Sequence, residues 1–319
     1  MSASHHSTRL RHATVYTDDG VPLAVTAAGP DTAELTFVFV HGHCHDTDIW
    51  TRLRQALPFA MGRSVRMVFF DHRGHGRSGA APAETYTLDR IGRDLGVVLD
   101  AATSGPIVLV GHSMGGMAIL SYARQHSTDI GTRVVGVALI STAADDLALS
   151  GLGRYLHSPV VELFRRAVSR APETTQRIAR WSGRVGLPVA GALHRRRTVS
   201  PKSDAWLLTV LALLCSDTSV VTIAGFLRSF AVLDEAAALS VLTHLPSLVL
   251  CGSHDELTPF VLSVGVAARL AHSQLVRIEG AGHSVTVEHP DAVAAALRDL
   301  ADRVSRARTT TTQVTGRVR

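Results

Sequence analysis

Residues Ile107 to Gly116 read I-V-L-V-G-H-S-M-G-G, and this decapeptide constrains the fold more than any other stretch of the 319-residue chain. Ile107–Val110 is a short apolar, mostly β-branched run and predicts a buried strand. Gly111-His112-Ser113-Met114-Gly115 follows, and then a helical pattern of Met117, Ala118, Leu120, Tyr122 and Ala123. A strand that turns abruptly into a helix around a serine is a nucleophile elbow. The serine has to adopt a strained backbone conformation so that its oxygen projects from the turn. Side chains two residues to either side would collide there, which explains Gly111 and Gly115. The first turn of the helix then points backbone N–H groups at the position where negative charge would develop.

The same strand-then-helix rhythm extends along the chain. Ala13–Thr17 and Pro22–Ala27 flank Asp18-Asp19-Gly20 and read as a hairpin. Thr36–Val40, Val65–Phe70, Val134–Ile140, Leu248–Cys251 and Leu275–Ile278 read as further strands. Helices are expected at Asp48–Leu57 (capped by Thr47 or Asp48), Leu88–Ala101, Phe260–Ala271 and Pro290–Arg303. Such alternation implies right-handed crossovers and a mostly parallel central sheet with helices on both faces, an α/β fold. The rhythm breaks once. Asp145–Glu235 is long and mainly helical, with no convincing strand, and reads as an inserted helical cap. The expected organisation is a flexible N-terminus over 1–12, a core over 13–144 and 236–306, a cap over 145–235, and a disordered basic tail over 307–319.

Composition narrows the class. Apolar residues make up 46% and charged residues 18%, which suits a globular chain with a large core. No apolar run is long enough to span a bilayer, and Met1–Ala13 lacks the apolar centre of a secretory signal. Three widely spaced cysteines (Cys44, Cys215, Cys251) argue against a disulfide scaffold and suit a reducing cytoplasm. The net charge of +5 comes largely from arginines near the two ends, and no nucleic-acid-binding motif accompanies it.

A serine hydroxyl needs a base to take its proton and a third group to orient that base. The elbow therefore predicts an acid and then a histidine on loops after later strands. Leu248–Cys251 runs into Gly252-Ser253-His254-Asp255, and Leu275–Ile278 runs into Glu279-Gly280-Ala281-Gly282-His283. The order Ser113, Asp255, His283 is complete.

Five segments together resemble the α/β-hydrolase superfamily over nearly the whole chain: His41-Gly42-His43, Asp71–Ser78, Gly111–Gly115, Gly252–Pro259 and Gly280–His283. The resemblance implies Ser113 as nucleophile, His283 as general base and Asp255 as its orienting acid. Glu256 and Asp145 are the rival acids. It also assigns an oxyanion hole to the backbone N–H groups of Met114 and His43. Asp71–Ser78 reads as a structural turn. His41, His43 and His45 alternate as metal ligands sometimes do, but no matched further ligand accompanies them, so no metal and no cofactor are implied. Cys44 lies near the expected site and reads as a small, partly buried residue.

The cap carries apolar helical faces: Leu156, Val160, Leu163, Phe164 and Val168; Trp206, Leu207, Val210, Leu211 and Leu214; Phe226, Phe230 and Leu233. Most should pack on the core, and some should line a pocket above Ser113. The basic runs Arg165-Arg166 and Arg195-Arg196-Arg197 read as solvated surface. The leading expectation is a serine hydrolase, esterase- or lipase-like, acting on a small-molecule ester through an acyl-enzyme. The same fold also hosts thioester and lactone hydrolysis, acyl transfer, carbon–carbon cleavage and cyclisation. Ser113 counts against the epoxide and haloalkane hydrolases of this fold, which use Asp at the elbow. Non-catalytic ligand binding is disfavoured by the complete Ser-Asp-His order. No oligomeric state is implied.

Overall fold

The computed structural model describes residues 10–181 and 216–316, with side chains placed through residue 310. Eight strands form one sheet: β1 Arg11–Tyr16, β2 Pro22–Ala28, β3 Thr36–Val40, β4 Arg66–Phe70, β5 Ile107–His112, β6 Val134–Ile140, β7 Ser247–Gly252 and β8 Ser273–Ile278. Their spatial order is β1-β2-β4-β3-β5-β6-β7-β8. The β1–β2 and β2–β4 pairs are antiparallel, and every pair from β4 to β8 is parallel. This is the α/β-hydrolase fold, and the mostly parallel sheet expected from the alternation.

The central strands read as continuous apolar runs because both faces are covered. Phe37, Phe39, Met67, Phe69, Val108, Val110, Leu248 and Leu250 face a core shared with helices Thr51–Met61 and Pro290–Gly316. Their neighbours Val38, Val40, Val68, Phe70, Ile107, Leu109 and Val249 face a second core under helices Leu88–Ala102, Met114–Gln125 and Ala236–Leu242. Each fully buried side chain of this kind contributes roughly 1.5–3 kcal/mol. The parallel register brings Val40 beside Gly111, His112 beside Ile140 and Gly252 beside Ile278. The loops after β3, β4, β5, β6, β7 and β8 therefore all leave from one carboxyl edge, where α/β sheets bind ligands.

Some boundaries differ from those expected. β1 begins at Arg11, inside the segment read as a flexible N-terminus. Its Arg11 pairs with Asp31 at 2.7 Å, and His12 Nδ1 lies 3.1 Å from Thr26 Oγ1. The first helical turn is capped by Asp46, whose carboxylate accepts the Asp48 N–H at 2.8 Å, and not by Thr47 or Asp48. Helix Phe260–Ala267 is shorter than expected, because Arg269 and Leu270 close the turn beyond it with tighter i→i−3 bonds to the Val266 and Ala267 carbonyls. The final helix passes Arg303 and continues to Gly316 through the segment read as a disordered tail. Thr309 and Thr310 donate their hydroxyls to the Ser305 and Arg306 carbonyls, a pairing that lets threonine stay in a helix.

Between β6 and β7 the described residues form short 3-10 turns at Leu147–Leu149 and Gly151–His157 and helices at Pro159–Arg170, 172–181 and Val220–Ala231. Ser158 and Ser219 cap two of these helices. Trp206, Leu207, Val210, Leu211, Leu214, Cys215 and Arg195-Arg196-Arg197 lie outside the described residues. Arg165 and Arg166 both pair with Glu162, at 3.0 and 2.8 Å. No helix among the described residues is long and apolar enough to cross a membrane.

Candidate active site

Ser113 closes β5 at φ +55°, ψ −121° and starts helix Met114–Gln125. A serine at positive φ is strained, and its surroundings over-determine the turn. The Ser113 N–H is held by the Ile140 carbonyl at 2.9 Å, and the Ser113 carbonyl accepts the Gly116 N–H at 2.9 Å and the Thr142 hydroxyl at 2.7 Å. The flanking glycines are required by space. A Cβ at Gly111 would sit 2.6 Å from the Gly115 carbonyl oxygen, and one at Gly115 would run into the Val40 carbonyl.

His283 arrives from the loop after β8, and its Nε2 lies 3.0 Å from Ser113 Oγ. Asp255, from the loop after β7, meets His283 Nδ1 with both oxygens, at 2.9 and 3.0 Å. A carboxylate only accepts, so Nδ1 carries a proton, and in the neutral ring Nε2 is the acceptor that faces the serine hydroxyl. Burial pushes the Asp255 carboxyl up. The His283 ring and the Thr258 hydrogen bonds outweigh it and hold the group down at about 2. Of the rival acids, Asp145 pairs with Arg269, and the carboxylate that meets His283 Nδ1 is that of Asp255 and not of Glu256.

The loop after β3 packs against the elbow. A Cβ on Gly42 would lie 3.1 Å from the Ser113 Cβ, a tight contact that would press the loop away from the elbow. Met114 opens the elbow helix, where first-turn N–H groups have no intrahelical acceptor. His41 is fully buried, and its Nδ1 donates to the Gly42 carbonyl at 2.7 Å. Burial holds its ring down at about 3, so it is neutral. His112 donates from Nε2 to the His283 carbonyl at 2.9 Å, bracing the loop that carries His283. Among the described residues no group of three or more His, Cys, Asp or Glu side chains is arranged to hold a metal ion. The Cys44 thiol is pushed up to about 12 by burial, which leaves no thiolate for nucleophilic chemistry.

Asp71–Ser78 is a bracket behind the site. Asp71 accepts the backbone N–H groups of Thr47 and Arg77 at 2.8 and 2.9 Å. Arg73, fully buried, bonds Asp94 at 2.6 and 2.8 Å and Asp19 at 2.9 and 3.0 Å, tying the hairpin to a helix on the sheet face.

Two features were not singled out from the sequence. The Thr258 hydroxyl reaches Asp255 at 2.9 Å, a contact that the D-x-x-T spacing could have suggested. The His43 ring packs edge-on against both Phe226 and Phe230, with centroids 5.5 and 5.3 Å away. The two phenylalanines were expected near the site, but their contact with His43 leaves no trace in sequence spacing.

Comparison with known proteins identifies the family and the fold. A family model described as the alpha/beta hydrolase fold matches residues 36–290. The AB hydrolase superfamily protein YisY of Bacillus subtilis is 25% identical over 261 residues, covering 80% of this chain and 87% of its own length. A thermophilic esterase from Thermogutta terrifontis superimposes with a TM-score of 0.65 at 23% identity, covering 92% of this chain and 99% of that one. The enol-lactonase from Burkholderia xenovorans LB400 superimposes with a TM-score of 0.66 at 22% identity, covering 92% and 100%.

Proposed function

The chain belongs to the alpha/beta hydrolase family, and we propose that it is a serine hydrolase that cleaves the carboxylic ester of a mainly apolar small molecule or lipid through an acyl-enzyme. One observation carries the reading: the unbroken line from Ser113 Oγ to His283 Nε2 at 3.0 Å and from His283 Nδ1 to the Asp255 carboxylate at 2.9 Å.

In this reading Ser113 Oγ attacks the ester carbonyl carbon as His283 Nε2 takes its proton. The carbonyl π pair moves to oxygen, and the N–H groups of Met114 and His43 receive that oxyanion. Donors fixed in advance need no reorganisation, and losing one costs about 3 kcal/mol of transition-state stabilisation. Collapse breaks the bond to the alkoxy group, which leaves as the alcohol with the proton from His283. A water then gives its proton to His283 Nε2 as its oxygen attacks the acyl carbon, and collapse of this second intermediate breaks the bond to Ser113 Oγ, which takes the proton back from His283 as the acid is released. Asp255 keeps the proton on Nδ1 throughout and stabilises the imidazolium. The segment 145–235 acts as a cap that sets substrate choice, with the Phe226–Phe230 region forming part of the pocket wall. Esterases among the structural neighbours support ester chemistry, and the enol-lactonase keeps lactone opening as the second reading. A reducing cytoplasm suits Cys44 and Cys251, which are both free thiols.

A fluorophosphonate probe tests the central claim. It should label Ser113, and Ser113→Ala should abolish both labelling and p-nitrophenyl ester hydrolysis. Label on another residue, or none on folded active protein, would overturn it.

A further inference from the structure

Asp255 sits in a turn that supplies donors to both of its oxygens. Oδ1 accepts the backbone N–H groups of Leu257 and Thr258, at 3.0 and 2.9 Å. Oδ2 accepts the Thr258 hydroxyl at 2.9 Å. The Cys251 thiol also approaches Oδ2, at 3.6 Å, and is a weak donor. The same Thr258 oxygen lies 3.3 Å from His283 Nδ1. Thr258 is buried, at 3% exposure, so water does not compete for these contacts.

A hydroxyl has one proton to give. The carboxylate can only accept, so that proton goes to Oδ2, and a lone pair of Thr258 Oγ1 is left facing the His283 Nδ1–H. The hydroxyl thus touches both groups whose alignment sets the tautomer of His283. We propose that Thr258 is a positioning residue whose side-chain hydroxyl anchors the Asp255 carboxylate on the oxygen that the backbone leaves free and holds it against His283. The proposal rests on the roles given above to Ser113, His283 and Asp255.

The chemical consequence has a sign. Without the hydroxyl, Oδ1 stays anchored to the turn, but Oδ2 loses its strong non-imidazole donor. Charge that the hydroxyl had shared then bears on the imidazolium, which holds its proton more firmly. The base is therefore recovered only at higher pH, and a loosened carboxylate orients it less well. The other groups around His283 bear weakly on this balance. The His112 ring lies 5.0 Å away and burial keeps it neutral. His45 is held down at about 4 by burial and by His283 itself. Burial pushes the Cys251 thiol up to about 12. The Glu288 carboxylate is engaged by the Gly282 N–H at 2.7 Å.

Thr258→Val keeps the shape and the Thr258 backbone N–H and removes only the hydroxyl, whereas Thr258→Ser restores it. Both are measured in the full chain on p-nitrophenyl acetate across pH, with Ser113→Ala alongside and a melting curve for each. For Thr258→Val, kcat should fall roughly tenfold with KM changed less than about twofold, as befits an effect on the transition state. The acidic limb of its kcat/KM profile should move up by about half a pH unit. Thr258→Ser should return both towards wild type. The proposal is overturned if the valine variant keeps the wild-type limb and kcat. It is also overturned if valine and serine variants are equally impaired with an unmoved limb, the signature of a structural role alone. Should Ser113→Ala retain activity, the serine-hydrolase reading itself fails. Loss of activity in Ser113→Ala beside an unaffected Thr258→Val removes only the role of Thr258.

Discussion

His41 and His72 exchange hydrogen bonds: His41 Nε2 accepts the His72 backbone N–H at 2.9 Å, and His72 Nε2 donates to the His41 carbonyl at 3.1 Å. The pair locks the loop after β3 to the loop after β4 beneath the Gly42–His43 backbone. His41 has to be neutral for this exchange, since a protonated Nε2 could not accept the His72 N–H.

An acid-sensitive fold is the expected result. His41, His72, His75 and His112 are all fully buried or within 1% of it. Burial lowers all four, with His41 and His75 at about 3 and His72 and His112 well below the ordinary value. In the unfolded chain these rings titrate near 6.5, so between that pH and about 3 the unfolded state binds more protons. Stability is therefore intact above pH 6.5 and lost as pH falls, by about 1.4 kcal/mol per ring per pH unit well below it. Together the four rings remove roughly 5 kcal/mol about one unit below 6.5, a large part of a typical fold's margin. Urea titrations at pH 7.5 and pH 5.5 check this. Equal midpoints at the two values would mean that the rings are protonated in the folded chain.

The identity of the acid gives a second outcome. Asp255→Asn should lower kcat at least 100-fold with little change in KM, because it removes the group that fixes the His283 tautomer. Asp145→Asn should keep near-full activity, since Asp145 is engaged by Arg269. The reverse pattern would make Asp145 the working acid.

The elbow gives a third. Gly115→Ala places a methyl against the Val40 carbonyl, which belongs to a central strand and cannot yield cheaply. The variant should lose more than about 2 kcal/mol of stability or most of its fluorophosphonate labelling. Gly265→Ala, where nothing lies within 4 Å of the added atom, should be close to neutral and serves as the control. If Gly115→Ala labels at the wild-type rate and melts at the wild-type temperature, the elbow is looser than this geometry.

These outcomes rest on parts of the molecule that differ in how openly the sequence displays them. Ser113, Asp255 and His283 could be read because each follows an apolar strand, and a parallel sheet sends all such strand ends to one edge. β1 was harder to place at its start. It is a largely exposed edge strand, so Arg11 and His12 show no apolar alternation and are held by pairing with Ala27 and Thr26. The Asp46 cap was missed because Asp46, Thr47 and Asp48 are all good capping residues, and backbone dihedrals decide among them. The helical run to Gly316 hides behind threonines that bond back to carbonyls one turn earlier. The contact of His43 with Phe226 and Phe230 joins residues more than 180 positions apart, and no local pattern encodes it.

That contact supports the last prediction. Phe230 is nearly buried on helix Val220–Ala231, and its ring meets His43 at the loop beside Ser113. If Phe230 belongs to the pocket wall proposed above, it limits the room for an acyl chain from a position outside the Ser113–His283–Asp255 line. Phe230→Leu keeps an apolar side chain and opens space, at a stability cost of about 1–2 kcal/mol. Longer p-nitrophenyl esters should then gain relative to acetate, with the ratio of kcat/KM for octanoate over acetate rising roughly tenfold and kcat on acetate kept within about twofold. A uniform fall in kcat/KM on every chain length would point to a disturbed oxyanion loop, because His43 lies between Phe230 and the site. An unchanged ratio together with unchanged rates would place Phe230 in the core and outside the wall.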